Sequence, residues 1–256
     1  VSIYYHRQHH EQSAFEGFDA VIHLAGENAA GRWNEEKKKK LVQSRVDTTR
    51  TLVDIFSRLT APPRIFLCAS AIGIHGDTGQ REVDENTGPG CGFLAELAIN
   101  WEAQANRAKD LGIRVVNLRF GLVLSVKGGS LAKMLLPFNL GLGGHLGDGK
   151  QIWSWISMDD VIASIRFILR HENLEGPFNL VAPNPVSNQA FTRALARALR
   201  RPAFCHLPEF LVKLIMGEMG EELLLSSVAA KPTRLLENGY DFIDVDLEST
   251  LIKLTG

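Results

Sequence analysis

The feature that most constrains this chain is an alternation of short apolar runs with amphipathic stretches long enough to be crossover helices. Asp19 to Gly26 reads DAVIHLAG, an apolar run closed by glycine, which predicts a buried parallel strand. Val42, Val46, Thr49, Val53 and Phe56 then recur at spacings of four and three, predicting an amphipathic helix that ends at Pro62 and Pro63. Asn34 is placed to cap that region, with Glu35 and Glu36 at its positive end. Arg64 to Ala69 (RIFLCA) predicts a second strand, and Ser70 to Cys91 a long polar loop. Leu94, Leu97, Trp101, Ala105 and Ala108 share a helix face, and Arg114 to Leu118 predicts a third strand. Parallel neighbours need a crossover, so this order implies βαβ units.

Beyond Gly129 the pattern predicts a helix over Ser130 to Asn139, a glycine-dense loop over Gly141 to Gly149 and a strand over Ile152 to Ile156. A helix over Asp159 to Arg170 follows, with Ser157 and Asp160 spaced as a capping box, and then a strand at Gly176 to Val181. From Asn188 the chain reads as mainly helical. The expected fold is α/β, a Rossmann-type doubly wound parallel sheet, with a smaller, mostly helical C-terminal part. Residues 1–187 are expected to form the larger domain, with substrate-side excursions from about residue 130, and residues 188–256 the smaller.

Charge narrows the function classes. The 28 Lys and Arg against 29 Asp and Glu give a net charge of -1, and they are spread along the chain, so neither nucleic acid nor an anionic membrane is an expected partner. The run Lys37 to Lys40 follows two glutamates and reads as a solvated helix face. Cys68, Cys91 and Cys205 lie far apart with no CxxC pair, which points to a reducing compartment and no metal. No apolar stretch reaches the roughly 18 residues of a membrane span, so the expectation is a cytoplasmic, membrane-free protein.

Several segments together carry a resemblance: VIHLAGE (Val21 to Glu27), SRVDTT (Ser44 to Thr49), SAIGIHGD (Ser70 to Asp77), VDE (Val83 to Glu85), FLAELAINWE (Phe93 to Glu102), LRFGLVL (Leu118 to Leu124), WISMDDV (Trp155 to Val161) and GPFNLVAPNPVSN (Gly176 to Asn188). In this order the chain resembles the extended short-chain dehydrogenase/reductases, within them an atypical, sugar-nucleotide-epimerase-like branch with a small C-terminal domain. The resemblance implies NADP or NAD as cofactor and a small-molecule substrate, nucleotide-linked or not, and it leaves room for a homodimer. It places Leu24, Ala25 and Gly26 against the dinucleotide, and Arg119, Gly121, Leu122 and Val123 along the nicotinamide pocket. Trp153, Trp155 and Asp160 fall on the substrate side, with core packing the competing reading for Trp155. Arg45 has two readings, a cofactor contact implied by the SR pattern or an arginine packing its stem on the helix surface.

A dinucleotide fold opens with a GxGxxG turn that leads into a helix. Nothing like it precedes Asp19, and the first eighteen residues read as a later strand with a linker. The resemblance therefore puts that turn upstream of Val1, so the 256-residue chain is expected to bind dinucleotide weakly or not at all. GLGGHLGDG has fingerprint-like glycines, but a predicted helix precedes it and a strand follows, the reverse of what the motif needs.

The superfamily's usual chemistry uses a serine and a YxxxK pair. Ser70 stands at the end of its strand where the serine belongs. The only tyrosines are Tyr4, Tyr5 and Tyr240, and with Trp101 and Glu102 as anchor, Leu94 and Ala98 occupy the YxxxK positions. His75 is the expected replacement acid/base, with an exposed loop histidine as the competing reading; Glu102 is a second carboxylate option that reads more readily as structural. Two functions stay open: an NAD(P)-dependent oxidoreductase or epimerase, and a regulatory protein that binds dinucleotide without catalysis.

Overall fold

The computed structural model describes residues 15–256, so the expectations for the first fourteen residues lie outside it. The central sheet has four parallel strands in spatial order: β1 (Ala20–His23), β2 (Ile65–Ala71), β3 (Arg114–Phe120) and β4 (Gly176–Leu180). Val21 is in register with Phe66, Phe66 with Val115, and Val116 with Gly176.

Side chains alternate across a pleat, and on β2 both sets are buried. Ile65 and Leu67, with Val116, Leu118, Phe178 and Leu180, pack against Val161, Ile165 and Ile168 of α5 (Met158–Arg170). Phe66 and Cys68, with Val115, pack on the opposite face against α2 (Thr48–Phe56) and α3 (Phe93–Asn106), through Leu52, Val53, Phe56, Trp101 and Ala105. Burial on two faces explains why these strands read as unbroken apolar runs. The doubly wound architecture is the one the alternation implied.

The first crossover helix begins earlier than its apolar stripe. Asn34 caps α1 (Glu35–Val42) by accepting from Lys37 N at 2.8 Å, and one π-helical turn, Gln43–Asp47, joins it to α2. The predicted strand over Ile152 to Ile156 is two pieces. Ile152–Trp153 pairs antiparallel with Val186–Ser187, whereas Trp155–Ser157 pairs parallel with Leu122–Leu124. The break falls at buried Ser154, whose Oγ donates to Val228 O at 2.7 Å and accepts from Ala230 N at 2.9 Å, a tie that no local pattern encodes.

Further helices are α4 (Gly129–Asn139), α6 (Asn188–Leu199), α7 (Glu209–Met216), α8 (Thr233–Glu237) and α9 (Leu247–Thr255). Phe191 and Leu195 of α6 and Leu247 and Leu251 of α9 share one core cluster with Leu124, Leu131, Trp153 and Trp155. The C-terminal helices therefore complete the core of the excursions that leave the sheet's carboxyl edge. Among the described residues no helix is long and apolar enough to cross a membrane, and no three His, Cys, Asp or Glu side chains gather as a metal site.

Candidate functional site at the carboxyl edge of the sheet

Parallel α/β sheets take ligands in the crevice outside the carboxyl ends of their strands. Here β1 runs out through His23 into Leu24, Ala25 and Gly26, all exposed, Leu24 by 54%. Arg45 holds this turn in place. Its Nη2 donates to Glu27 O at 3.0 Å, its guanidinium lies 5.3 Å from the Trp101 ring centroid, and burial lowers its pKa. A Cβ on Gly26 would stand 3.2 Å from the Arg45 Cζ, so the glycine is what lets the guanidinium pass beneath the turn. Ser44 adds a second tie, its Oγ accepting from Glu27 N at 2.9 Å. Arg45 thus packs against and organises the β1 turn, beside the residues expected to meet the cofactor.

At the ends of β2 and β3 lies a buried ionic cluster. Ser70 Oγ donates to Glu102 Oε1 at 2.6 Å, and Arg119 clamps the same carboxylate from Nε (2.8 Å) and Nη2 (3.0 Å). All three residues are less than a tenth exposed. The two-point geometry satisfies both carboxylate oxygens, which is the condition for tolerating buried charge. Glu85 lies in the same region: its backbone carbonyl is 3.4 Å from Arg119 Nη1, and its Oε1 accepts from Asn179 N at 3.0 Å. Burial raises the Glu85 pKa.

His75 ends the single helical turn Ile72–His75 that follows β2. The expectation of an exposed loop histidine is corrected here, because the ring is only 3% exposed. Neither nitrogen makes a hydrogen bond of good geometry, although the Gly88 backbone lies near enough to favour the charged ring. Burial first, then the positive charge of Arg119, pushes its pKa below the ordinary imidazole value. The turn is tight: a Cβ on Gly90 would clash with the His75 carbonyl and with Gly76 N, so only glycine fits. Ser70, Glu102, Arg119 and His75 thus form one electrostatic group.

A cavity of about 300 Å3 lies between the turn after β2, the start of α3 and residues 221–228; its lining includes Gly73 and Gly76 of that turn but none of Ser70, His75, Glu102 or Arg119. Leu94 lines it, packed against Gly73, while Ala98 is buried behind. The side chains at the YxxxK positions are therefore apolar and have nothing to offer a proton. Glu222 reaches in from the C-terminal part, where Oε1 accepts from Phe93 N (2.9 Å) and Oε2 from Leu94 N (2.8 Å), a carboxylate at the positive end of α3.

Other expected residues have structural surroundings. Gly121 passes so close to Ser154 O and Val181 that an added Cβ would clash with both, while half-buried Leu122 and Val123 pack into clusters on either side. Trp153 is buried against Phe191. Trp155 is fully buried, its Nε1 donating to Asn184 O at 3.0 Å. Asp160 is fully buried too, accepting from Tyr240 OH (2.8 Å), Ile243 N (2.9 Å) and Asp244 N (2.9 Å). The structure does not bring Trp155 or Asp160 together with Ser70 and His75. Glu85, Ser154 and Glu222 were not singled out from sequence; each works through a partner more than 70 residues away, and a single residue type carries no signal of that.

A doubly wound parallel sheet, with an exposed turn after its first described strand and a buried ionic cluster behind the next two, defines a Rossmann-type α/β protein of the dinucleotide-binding class. The chain belongs to the NAD dependent epimerase/dehydratase family, whose model matches residues 7–200, and a domain of unknown function, DUF1731, matches residues 207–254. It is similar to an epimerase family protein of Mycobacterium bovis, 41% identical over 225 residues that span 88% of this chain and 74% of the relative. Among solved structures it resembles human epimerase family protein SDR39U1 with NADPH, at a TM-score of 0.88 and 33% identity over 93% of this chain and 81% of that one. It also resembles a nucleoside-diphosphate sugar epimerase from Corynebacterium glutamicum, at a TM-score of 0.78 and 31% identity over 96% of this chain and 48% of that one.

Proposed function

We propose that the protein binds NADP or NAD along the carboxyl edge of its sheet and carries out oxidoreductase or epimerase chemistry on a small molecule, nucleotide-linked or free. The observation that carries this reading is the exposed Leu24 to Gly26 turn, held in place by Arg45 beside a buried cluster that contains Ser70 and an unpartnered histidine. Leu24, Ala25 and Gly26 offer a shelf that backbone and ring can approach closely, and Arg119, Gly121, Leu122 and Val123 would bound the site on the β3 side. The cofactor, when bound, supplies hydride exchange at a substrate carbon. NADPH in the human relative's structure supports the cofactor class.

Within this reading Ser70 and His75 are the catalytic residues. Ser70 spends its one proton on Glu102, so it offers lone pairs that hold a substrate hydroxyl. His75, kept neutral by burial and by Arg119, is prepared to accept the proton an alcohol loses on oxidation. Trp153, Trp155 and Asp160 would support the substrate side from behind by fixing the strands and the C-terminal part. The second reading, a regulatory dinucleotide binder, is favoured by apolar Leu94 and Ala98 where a proton carrier would otherwise stand.

The experiment is calorimetric titration with NADPH and NADH, followed by turnover on alcohols, carbonyls and nucleotide sugars. We expect dinucleotide binding by the protein that includes the glycine turn upstream of Val1 and weaker binding by the 256-residue chain, and for any alcohol oxidised a rate that rises with pH and levels off below the ordinary imidazole pKa. His75→Asn is expected to remove that limb, and Ser70→Ala to lower kcat with cofactor affinity nearly unchanged. Absence of dinucleotide binding would overturn the whole reading. Tight binding with no turnover across the panel would select the regulatory one.

A further inference from the structure

A second cavity, about 710 Å3, lies away from this site and shares no lining residue with the first. Its charged lining is of one sign: Arg193, Arg197, Arg200 and Arg201, with no carboxylate among the lining residues. The whole chain is almost neutral, so this is a local concentration. Arg193, Arg197 and Arg200 follow one face of α6 and its cap at spacings of four and three, a row about 10 Å long. Among the described residues only Arg197 has a carboxylate partner, Glu248 at 2.7 Å; Arg193, Arg200 and Arg201 have none.

Three further observations point into the same space. Thr192, 5% exposed, lines the cavity, and its hydroxyl makes no hydrogen bond within the described residues. Arg200, the left-handed C-cap of α6 (φ 53°), closes the helix through its backbone N–H to Ala196 O and Arg197 O, and its side chain lines the cavity. His145, stacked on His206 at 4.5 Å, has its pKa lowered by burial first, then by the His206 ring and Arg193, with Asp148 opposing, so it lines the cavity as a neutral ring. Phe204, 87% exposed, stands at the rim as a free aromatic surface.

We propose that this cavity is a binding site for a compact polyanion, a chain of two or three phosphate groups, either free or carried by a nucleoside. The arginine row would take successive phosphates through charge-assisted, two-point hydrogen bonds, and the Thr192 hydroxyl would donate to a phosphate oxygen. A nucleoside, if present, would stack its base on Phe204.

The test is calorimetric titration of the whole protein with inorganic tripolyphosphate and, separately, with ATP, at low salt and at 0.5 M salt. Both are expected to bind, more weakly at high salt. Arg193→Ala and Arg200→Gly, the second of which relieves the backbone, are each expected to weaken binding of either probe roughly tenfold, with Arg193→Lys recovering part of the loss. NADPH affinity should be the same in all variants, which separates this cavity from the sheet edge. ATP binding tighter than tripolyphosphate, with the excess lost in Phe204→Ala, would identify a nucleoside-borne ligand; equal binding would identify the phosphate chain alone. No binding of either probe at millimolar concentration, or binding that both arginine variants leave intact, would overturn the proposal.

Discussion

Removing either side of the Arg119–Glu102 clamp would leave an unpaired charge in a place water does not reach. Arg119→Met is therefore expected to cost about 3 to 5 kcal/mol of stability, read as a shift of the urea midpoint, and to free the Ser70 hydroxyl from its rigid acceptor. Replacing both with apolar residues should recover much of the loss, because the cost lies in the orphaned charge; a double variant as unstable as the single one would contradict this. His23 tests a different buried charge. It is 6% exposed at the end of β1, its Nε2 has no partner, and burial lowers its pKa to about 4. The folded pKa is below the unfolded value of about 6.5, so folding is unpenalised above pH 6.5 and loses stability as pH falls from there towards 4, by about 3 kcal/mol when complete. In His23→Leu the slope of stability against pH over that window should be flatter, and an unchanged slope would assign the acid sensitivity elsewhere. The site was partly legible at this scale: Ser70 was placed by its strand end, and the loss of YxxxK by counting tyrosines. The burial of His75 was not legible, because it depends on how closely Gly90 lets residues 88–90 lie against the turn after β2.

At the scale of elements, α3 shows how a helix can be complete in sequence and still lack an end. Its N-cap is Gly92, which has no side chain to accept a hydrogen bond, and Glu222 supplies the acceptor from 130 residues away in the C-terminal part. Glu222→Ala is expected to cost about 1 to 2 kcal/mol and to raise amide exchange at Phe93 and Leu94 before the rest of α3; uniform exchange along the helix would refute the long-range cap. Asp160 performs the corresponding task at α5. Its first-turn position and the Ser157 cap were readable from spacing, but its carboxylate gathers the backbone of Ile243 and Asp244 and the Tyr240 hydroxyl. Asp160→Asn retains size but offers one acceptor oxygen in place of two, and should loosen residues 240–244 while leaving α5 folded, as exchange at Ile243 and Asp244 would show.

At the scale of the whole molecule, the C-terminal part closes the core and the cleft together. Its segments cap α3, meet Asp160, bind Ser154 and share a core with Trp153 and Trp155. A chain ending at residue 187 is therefore expected to keep its far-ultraviolet helix and strand signal and lose the near-ultraviolet signal of its tryptophans, as a sheet with one uncovered end would. Intact near-ultraviolet ellipticity after truncation would mean that the larger unit closes by itself. What the sequence determined by itself is whatever depends on neighbours within about a dozen residues: strands from apolar runs, helices from stripes, caps from Asn34 and Ser157, and from their alternation a doubly wound parallel sheet. Only the tertiary structure decided which carboxylate meets which donor, that Asp160 and Trp155 are enclosed, that one predicted strand breaks at Ser154, and that α6 lines its cavity with arginines. The physical reason is range. A periodic pattern is set by bond geometry along the chain, whereas a hydrogen bond such as that from Tyr240 to Asp160, 80 residues apart, exists only because packing has already brought the two ends together.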